Sequence, residues 1–334
     1  MKAFIITEAG KNIGFGHFMR MIAIYQAFET KNIKPKFIIN GDESVEEYVK
    51  ETEYEIFNWI DNQEKLFDMI KDADIAIIDS YLADVTLYEK ISKLVKLPVY
   101  YDDNNRIEYP SGVVVNGNIH AKDLDYPKRD DITYLLGLEY LPLRKEFWEV
   151  PEKKIKDNVE SIMITFGGDD FRNMTPKVLK LLAENYPNIK KNVIIGKGFK
   201  NIKDIEKASD ENTVLIYFPD AQKMKVVMLG SDIAISAGGQ TLYELARVGV
   251  PTIAVIVADN QIGNVTKWQE LGFLENAGWW GESIIETNLI NLLRNFHSYT
   301  LRYNASECAK RFIYGNGALK IINQLKSELG YFCK

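Results

Sequence analysis

His17 is the side chain best suited to proton transfer, and it sits in the loop Asn12-Ile-Gly-Phe-Gly-His-Phe-Met-Arg20. Gly14 and Gly16 permit a tight turn and a close backbone approach to a ligand. A helix is expected to begin near His17, so the amides of its first turn form an anion site strengthened by the helix dipole. His17 and Arg20 fall one turn apart and share a face. The dipole there favours an uncharged imidazole, the form that accepts a proton. A plain glycine turn with a solvated histidine uses the same residues. The loop is not a P-loop, because no Gly-Lys-Ser/Thr follows, and it lacks the third glycine of a dinucleotide fingerprint.

Acidic clusters close two later apolar runs, Asp79-Ser-Tyr81 and Asp102-Asp103. Successive strand ends of one parallel sheet lie near each other, so Asp79 is expected close to His17, where it can orient the imidazole. Asp103 is expected to cap the turn that follows. No carboxylate grouping has a recognised metal-ligand spacing. In Thr165-Phe-Gly-Gly-Asp-Asp-Phe-Arg-Asn-Met-Thr175 the amides of Gly167 and Gly168 can face a ligand, and Asn173 or Thr175 is the expected helix cap.

The clearest local pattern is Ser236-Ala-Gly-Gly-Gln-Thr-Leu-Tyr-Glu244. Gly238 and Gly239 lead straight into a helix whose first-turn donors are Gln240 and Thr241, a start that fits a diphosphate. Glu244, one turn on, can accept two hydrogen bonds from a ribose. A capping box with Gln240 or Thr241 is the alternative. Asn260 and Gln261, after the next apolar run, offer amides suited to sugar hydroxyl or acetamido groups.

Short, β-branched runs position all of these loops. Ala3–Thr7, Phe37–Asn40, Ile75–Asp79, Val99–Tyr101 and Val113–Asn116 read as strands, as do Ser161–Phe166, Asn192–Ile195, Val214–Tyr217, Ile233–Ser236 and Thr252–Val257. Continuous rather than alternating apolar runs suit strands covered on both faces. Helical periods intervene at Phe18–Thr30, Thr175–Asn185, Gln222–Gly230, Thr241–Gly249 and Val265–Gly272, which predicts a doubly wound α/β fold. The pattern restarts after a charged, proline-containing stretch at 149–158 that reads as a linker, giving domains of 1–150 and 151–334. The segment from about Leu301 to Leu329 is helical in period and placed to brace the two.

Composition removes several function classes. A net charge of -6 leaves no basic field for nucleic acid or an anionic membrane. The longest apolar run, Val248–Ala258, is interrupted by Pro251 and too short for a bilayer. The first residues lack the plan of a signal peptide. Cys308 and Cys333 are the only cysteines, so no disulfide framework or thiolate metal site is expected, and a soluble, cytoplasmic protein is.

In order along the chain, these blocks resemble the UDP-2,4-diacetamido-2,4,6-trideoxy-β-L-altropyranose hydrolases of pseudaminic acid biosynthesis, the PseG type. Gly14-Phe-Gly-His-Phe-Met-Arg20 is similar to that family's Gly-x-Gly-His-x-x-Arg, and Asp79-Ser-Tyr81 and Asp102-Asp103 with Arg106 to its middle blocks. Leu136–Phe147, Gly167-Gly-Asp-Asp with Asn173 and Thr175, the Ser236–Glu244 block and Asn260-Gln261 complete the series. Asp169 and Gln240 depart from the family's usual residues, and the chain past about residue 290 exceeds its core pattern.

The resemblance implies a GT-B fold: two Rossmann-like, doubly wound parallel-sheet domains facing a cleft, with UDP held mainly by the second. It implies that His17, with Asp79, activates water to displace UDP from the anomeric carbon with inversion. Gly16, Gly168, Gly238, Gly239, Gln240 and Thr241 would hold the diphosphate and Glu244 the ribose. Arg20, Tyr81, Asn260 and Gln261 would face the sugar, with no metal and no cofactor required. A UDP-amino-sugar glycosyltransferase on the same fold is the alternative, which the acidic chain without a basic, apolar membrane patch disfavours. A 2-epimerase would need further acid/base groups, and a purely binding protein would have no use for His17.

Overall fold

A computed structural model of the chain describes residues 1–10 and 13–332. Asn12 of the first loop and Cys333 lie outside them. The chain folds as two units, one formed by residues 1–145 with the segment that returns at Gly315, the other by Glu146–Tyr314.

The first unit runs β1 (Ala3–Ala9), α1 (Gly16–Glu29), β2 (Lys36–Gly41), α2 (Glu46–Val49), β3 (Tyr54–Ile56), α3 (Gln63–Ile70), β4 (Ile75–Asp79), α4 (Val85–Ser92), β5 (Leu97–Tyr101), β6 (Gly112–Asn116) and β7 (Ile132–Leu136). Its sheet has seven parallel strands in the order β3-β2-β1-β4-β5-β6-β7. Every residue of β1, β4 and β5 is buried, because helices cover both faces. Phe4, Ile6, Ile78, Tyr88 and Tyr100 belong to one core; Phe18 of α1 meets Phe37 of β2 at 5.8 Å between ring centres. The strand order reverses between β1 and β4, where Thr7 pairs with Asp79. The loops after these two strands therefore leave from neighbouring points on one edge, the position at which open α/β sheets bind ligands.

The second unit repeats the plan. It runs β8 (Ser161–Thr165), α5 (Met174–Asn185), β9 (Lys190–Ile195), α6 (Ile202–Ala208), β10 (Thr213–Tyr217), α7 (Ala221–Gly230), β11 (Ile233–Ala237), α8 (Gln240–Val248), β12 (Thr252–Ile256), α9 (Ile262–Leu271), β13 (Leu274–Trp279), α10 (Ile285–Asn295) and α11 (Tyr299–Phe312). Six parallel strands take the order β10-β9-β8-β11-β12-β13, so the reversal falls between β8 and β11.

The stretch read as a linker is fastened to this second unit. The buried Lys153 ammonium donates to the carbonyls of Met228, Leu229 and Ser231 at the end of α7. The Arg302 guanidinium, also buried, donates to those of Lys156 and Asp157. The C-terminal helical segment is two helices rather than one: α11 in the second unit and α12 (Gly317–Phe332), which lies against α1 in the first. Gly317 starts α12 against the 141 backbone; a Cβ there would come within 2.1 Å of the Leu141 carbonyl oxygen. Among the described residues no helix is long and apolar enough to cross a membrane.

Candidate active site

The β1–α1 loop is closed at its base by Gly10 and Gly14, which exchange two backbone hydrogen bonds. Gly14, at φ 89°, takes a backbone that favours glycine; at Gly16 a Cβ would meet nothing within 4 Å. No side chain caps α1, and His17 stands in its first turn.

His17 Nδ1 lies 2.6 Å from Asp79 Oδ1. Arg20, one turn along α1, straddles the same carboxylate, Nε donating to Oδ2 at 2.5 Å and Nη2 to Oδ1 at 2.6 Å. Its third nitrogen, Nη1, donates to Asp103 Oδ1 at 2.7 Å, and the guanidinium lies over the Tyr101 ring. The proton between His17 and Asp79 belongs to the ring, because an ionised carboxylate only accepts and a guanidinium only donates. Nδ1–H therefore donates to Asp79, and the 2.9 Å approach of Arg20 Nη2 to Nδ1 is two donors converging on one acceptor. This tautomer leaves a lone pair on Nε2. The His17 side chain is 15% exposed, whereas that of Asp79 is fully enclosed.

Ionisation of the cluster follows from its pairing. Burial alone would push the Asp79 carboxyl up, but the Arg20 guanidinium and the His17 ring outweigh it and hold the group below the usual carboxylate range. Burial is likewise outweighed at Asp103, chiefly by Arg20, and that carboxyl lies well below its ordinary value. Burial works against the charge of Arg20 too, yet Asp103 and Asp79 raise its pKa well above the usual one.

Two carboxylates behave differently from the sequence reading. Asp102, not Asp103, takes the turn: its oxygens accept from the Asn105 amide at 2.7 Å and from the Tyr126 hydroxyl at 2.5 Å. Asp103 instead faces the site, accepting from Arg20, from the Tyr81 hydroxyl at 2.6 Å and from Asn118 Nδ2 at 2.9 Å. The expected cap at Asp103 is corrected accordingly. Glu8, which the sequence reading passed over, is buried at the end of β1 with Oε1 3.9 Å from His17 Nε2. Tyr81 stands edge-on to the His17 ring, with centres 4.4 Å apart. Arg106 turns away, donating to the carbonyls of Ser80 and Ala83.

In the second unit the loops after β8, β11 and β12 carry the remaining candidates. Gly167 has φ 80°, and the Gly168 carbonyl accepts from the Gly198 amide at 2.9 Å. The cap of α5 is Asp170, whose two oxygens accept from the Met174 and Thr175 amides; Asn173 holds a left-handed φ of 56° and makes no cap bond, so neither Asn173 nor Thr175 caps as expected. Gly239 precedes α8, and no side chain caps that helix. A Cβ on Gly238 would fall 2.4 Å from Val265 Cγ2, which is why the turn into α8 must be bare there.

Gln261 locks this turn to β12, its carbonyl oxygen accepting from the Gly238 amide and the Val257 amide at 3.1 Å each. That is a bracing role, and it occupies the oxygen expected to face the sugar. Thr241 lies in the first turn of α8, Glu244 is buried one turn further on, and Asn260 is exposed in the loop after β12. Arg172, from the β8 loop, donates to the Val257 carbonyl at 3.1 Å and stacks over the Trp280 ring. Among the described residues no group of three or more His, Cys, Asp or Glu side chains is arranged to hold a metal ion.

Residues 161–308 match the glycosyltransferase family 28 C-terminal domain. An uncharacterized protein of Methanocaldococcus jannaschii is 26% identical over 76% of this chain and 55% of its own length. The spore coat polysaccharide biosynthesis protein SpsG of Bacillus subtilis is 24% identical over 96% of both chains. A Helicobacter pylori protein named as pseudaminic acid cytidylyltransferase and UDP-2,4-diacetamido-2,4,6-trideoxy-β-L-altropyranose hydrolase is 24% identical over 74% of this chain. The chain spans only 44% of that protein's length, and about half of the archaeal one's.

Among solved structures, Acinetobacter baumannii MurG superposes with a TM-score of 0.66 at 12% identity, covering 98% of this chain and 100% of its own. The UDP-GlcNAc 2-epimerase of Neisseria meningitidis, bound to UDP-GlcNAc, gives 0.65 at 16% over 98% and 100%. These likenesses fit the PseG-type resemblance of the sequence blocks: the chain has the GT-B fold, its second unit is similar to the family 28 glycosyltransferase C-terminal domain, and a PseG-type hydrolase is among its relatives.

Proposed function

We propose that the chain is a nucleotide-sugar enzyme that hydrolyses a UDP-linked 2,4-diacetamido-2,4,6-trideoxy hexose to free sugar and UDP. The observation that carries the reading is the His17 ring, pinned through Nδ1–H by a buried, ionised Asp79 with Nε2 left as a base. The relative from Helicobacter pylori supports the substrate class, through its name, and the uncapped start of α8 supports the diphosphate.

In this scheme His17 Nε2 takes a proton from water as the water oxygen bonds to the anomeric carbon. The bond from that carbon to the β-phosphate oxygen breaks, its electron pair leaves with UDP, and the anomeric configuration inverts. Asp79 keeps the ring in the productive tautomer and stabilises the imidazolium that forms, as the carboxylate of a catalytic triad does. The amides of Gly239, Gln240 and Thr241, with that of Gly168, would take up the diphosphate charge. Glu244 would accept from the ribose hydroxyls, while Tyr81 and Asn260 would face the sugar. Arg20, its three nitrogens engaged by Asp79 and Asp103, is assigned here to positioning Asp79 rather than to touching the sugar. No step in the scheme calls for a metal or a cofactor.

Turnover in oxygen-18 water tests the bond that breaks. The heavy oxygen is expected at the sugar C1 hydroxyl and not in UDP. Label in the β-phosphate would mean attack at phosphorus and would overturn the scheme. Release of UDP only when an acceptor is supplied would make the enzyme a transferase.

A further inference from the structure

We propose that Glu8 is a second group on the attacking water, holding one of its protons while His17 removes the other. The inference rests on the hydrolase reading above. Glu8 follows Thr7, which pairs with Asp79 at the end of β4, so the strand register delivers both carboxylates to one edge of the sheet. They reach the imidazole from opposite ends: Asp79 at Nδ1, Glu8 toward Nε2.

The Glu8 side chain is 3% exposed. Its Oε2 accepts from the Ser80 hydroxyl at 2.7 Å and its Oε1 from the Tyr81 amide at 2.9 Å. Each oxygen can accept again. Among the described residues no lysine or arginine lies within 4.0 Å of its carboxylate, while the His17 ring does. A buried carboxylate without a countercation is costly. Both loop partners are donors, since Ser80 Oγ already accepts from the Leu82 and Ala83 amides and gives its proton to Glu8, so a carboxylate matches them and a glutamine would leave one unmatched.

The distance indicates the use. At 3.9 Å, Oε1 and Nε2 are too far apart for a direct hydrogen bond. A single water about 2.8 Å from each completes the triangle with close to a right angle at its oxygen. Its two protons then point at Nε2 and Oε1, and its remaining electron pairs face outward, toward an anomeric carbon. In the reaction the oxygen bonds to that carbon and the carbon–oxygen bond to UDP breaks with its electron pair on the phosphate. One proton passes to Nε2, and the other stays on the new sugar hydroxyl, donated to Glu8. The imidazolium so formed lies between two carboxylates until it returns its proton to solvent.

The test compares wild type, Glu8→Gln, His17→Asn and the double variant, measuring UDP release from a UDP-diacetamido-trideoxyhexose without acceptor, and UDP affinity by calorimetry. Glu8→Gln is expected to keep UDP affinity and KM while kcat falls about 10²-fold. The double variant should lose no more than His17→Asn alone, because the two residues act on one water. Glu8→Asp, which keeps the charge, separates the two roles: it should retain more activity than Gln if charge matters. Wild-type kcat in Glu8→Gln, or a parallel loss of kcat and UDP affinity, would overturn the role. Those results leave the hydrolase reading intact. Absence of UDP release by the wild-type enzyme from any donor would remove that reading, and this inference with it.

Discussion

At the scale of single residues, the centre of the first unit is an ion cluster built around one arginine. Arg20 is fully committed to Asp79 and Asp103, and both carboxylates owe their low pKa to it more than to any other neighbour. Removing one partner of a buried pair leaves the other charge uncompensated. Arg20→Met is therefore expected to cost about 3–5 kcal/mol of stability, read from the urea midpoint. A change within experimental error would mean that the cluster is not structurally coupled. His17, Arg20 and Asp79 were legible because a glycine-rich loop and a strand-terminal aspartate mark themselves. Glu8 was not, since a glutamate following an apolar run reads as a residue turning to solvent. Asp102 and Asp103 could not be told apart for a related reason. Adjacent residues at a strand end point to opposite sides, and composition does not say which side holds the ligand.

At the scale of elements, each candidate loop is made by a turn whose backbone the neighbouring strand constrains. The cap of α5 shows how sequence spacing misleads. Asn173 directly precedes the helix but is left-handed, and the amides are taken by Asp170 three residues earlier, itself at φ 44° and held by Asn201 at 2.7 Å. Asp170→Ala should cost about 1–2 kcal/mol, seen as a lowered melting temperature of the second unit, whereas Asn173→Gly, which suits the left-handed backbone, should lose no cap. Equal effects of the two substitutions would contradict that assignment. The ten strands expected from apolar runs are present, but β3, β7 and β13 were missed. They are edge strands with partly exposed residues, and β13 carries Glu275, Asn276 and Gly278 among its apolar positions, so no continuous run announces them.

At the scale of the whole molecule, the restart of the strand–helix pattern revealed two units, but not where the chain changes allegiance. The 149–158 stretch looks like a tether because it is charged and contains proline, yet its lysine and backbone carbonyls are bound into the second unit. The return of α12 to α1 is a long-range contact that no local period reports. The ion cluster also sets a pH response. Asp79 and Asp103 titrate lower in the folded chain than their ordinary 3.8, so their contribution is complete above that value and is lost as pH falls through the folded pKa values. Unfolding followed against pH should show the first unit losing this stability only below about pH 4, and Asp103→Asn should flatten that limb. Loss between pH 7 and 5 that disappears in Asp103→Asn would reverse the sign. The central claim is that His17 activates water against a UDP-sugar. The most direct measurement is UDP release from a panel of UDP-sugars, including the 2,4-diacetamido-trideoxy epimers, with chelator and no acceptor, for wild type and His17→Asn. The account predicts release from a diacetamido donor, a loss of about 10²–10⁴-fold in His17→Asn, and unchanged UDP affinity. Undiminished release by His17→Asn, or none by the wild type despite tight UDP binding, would contradict it.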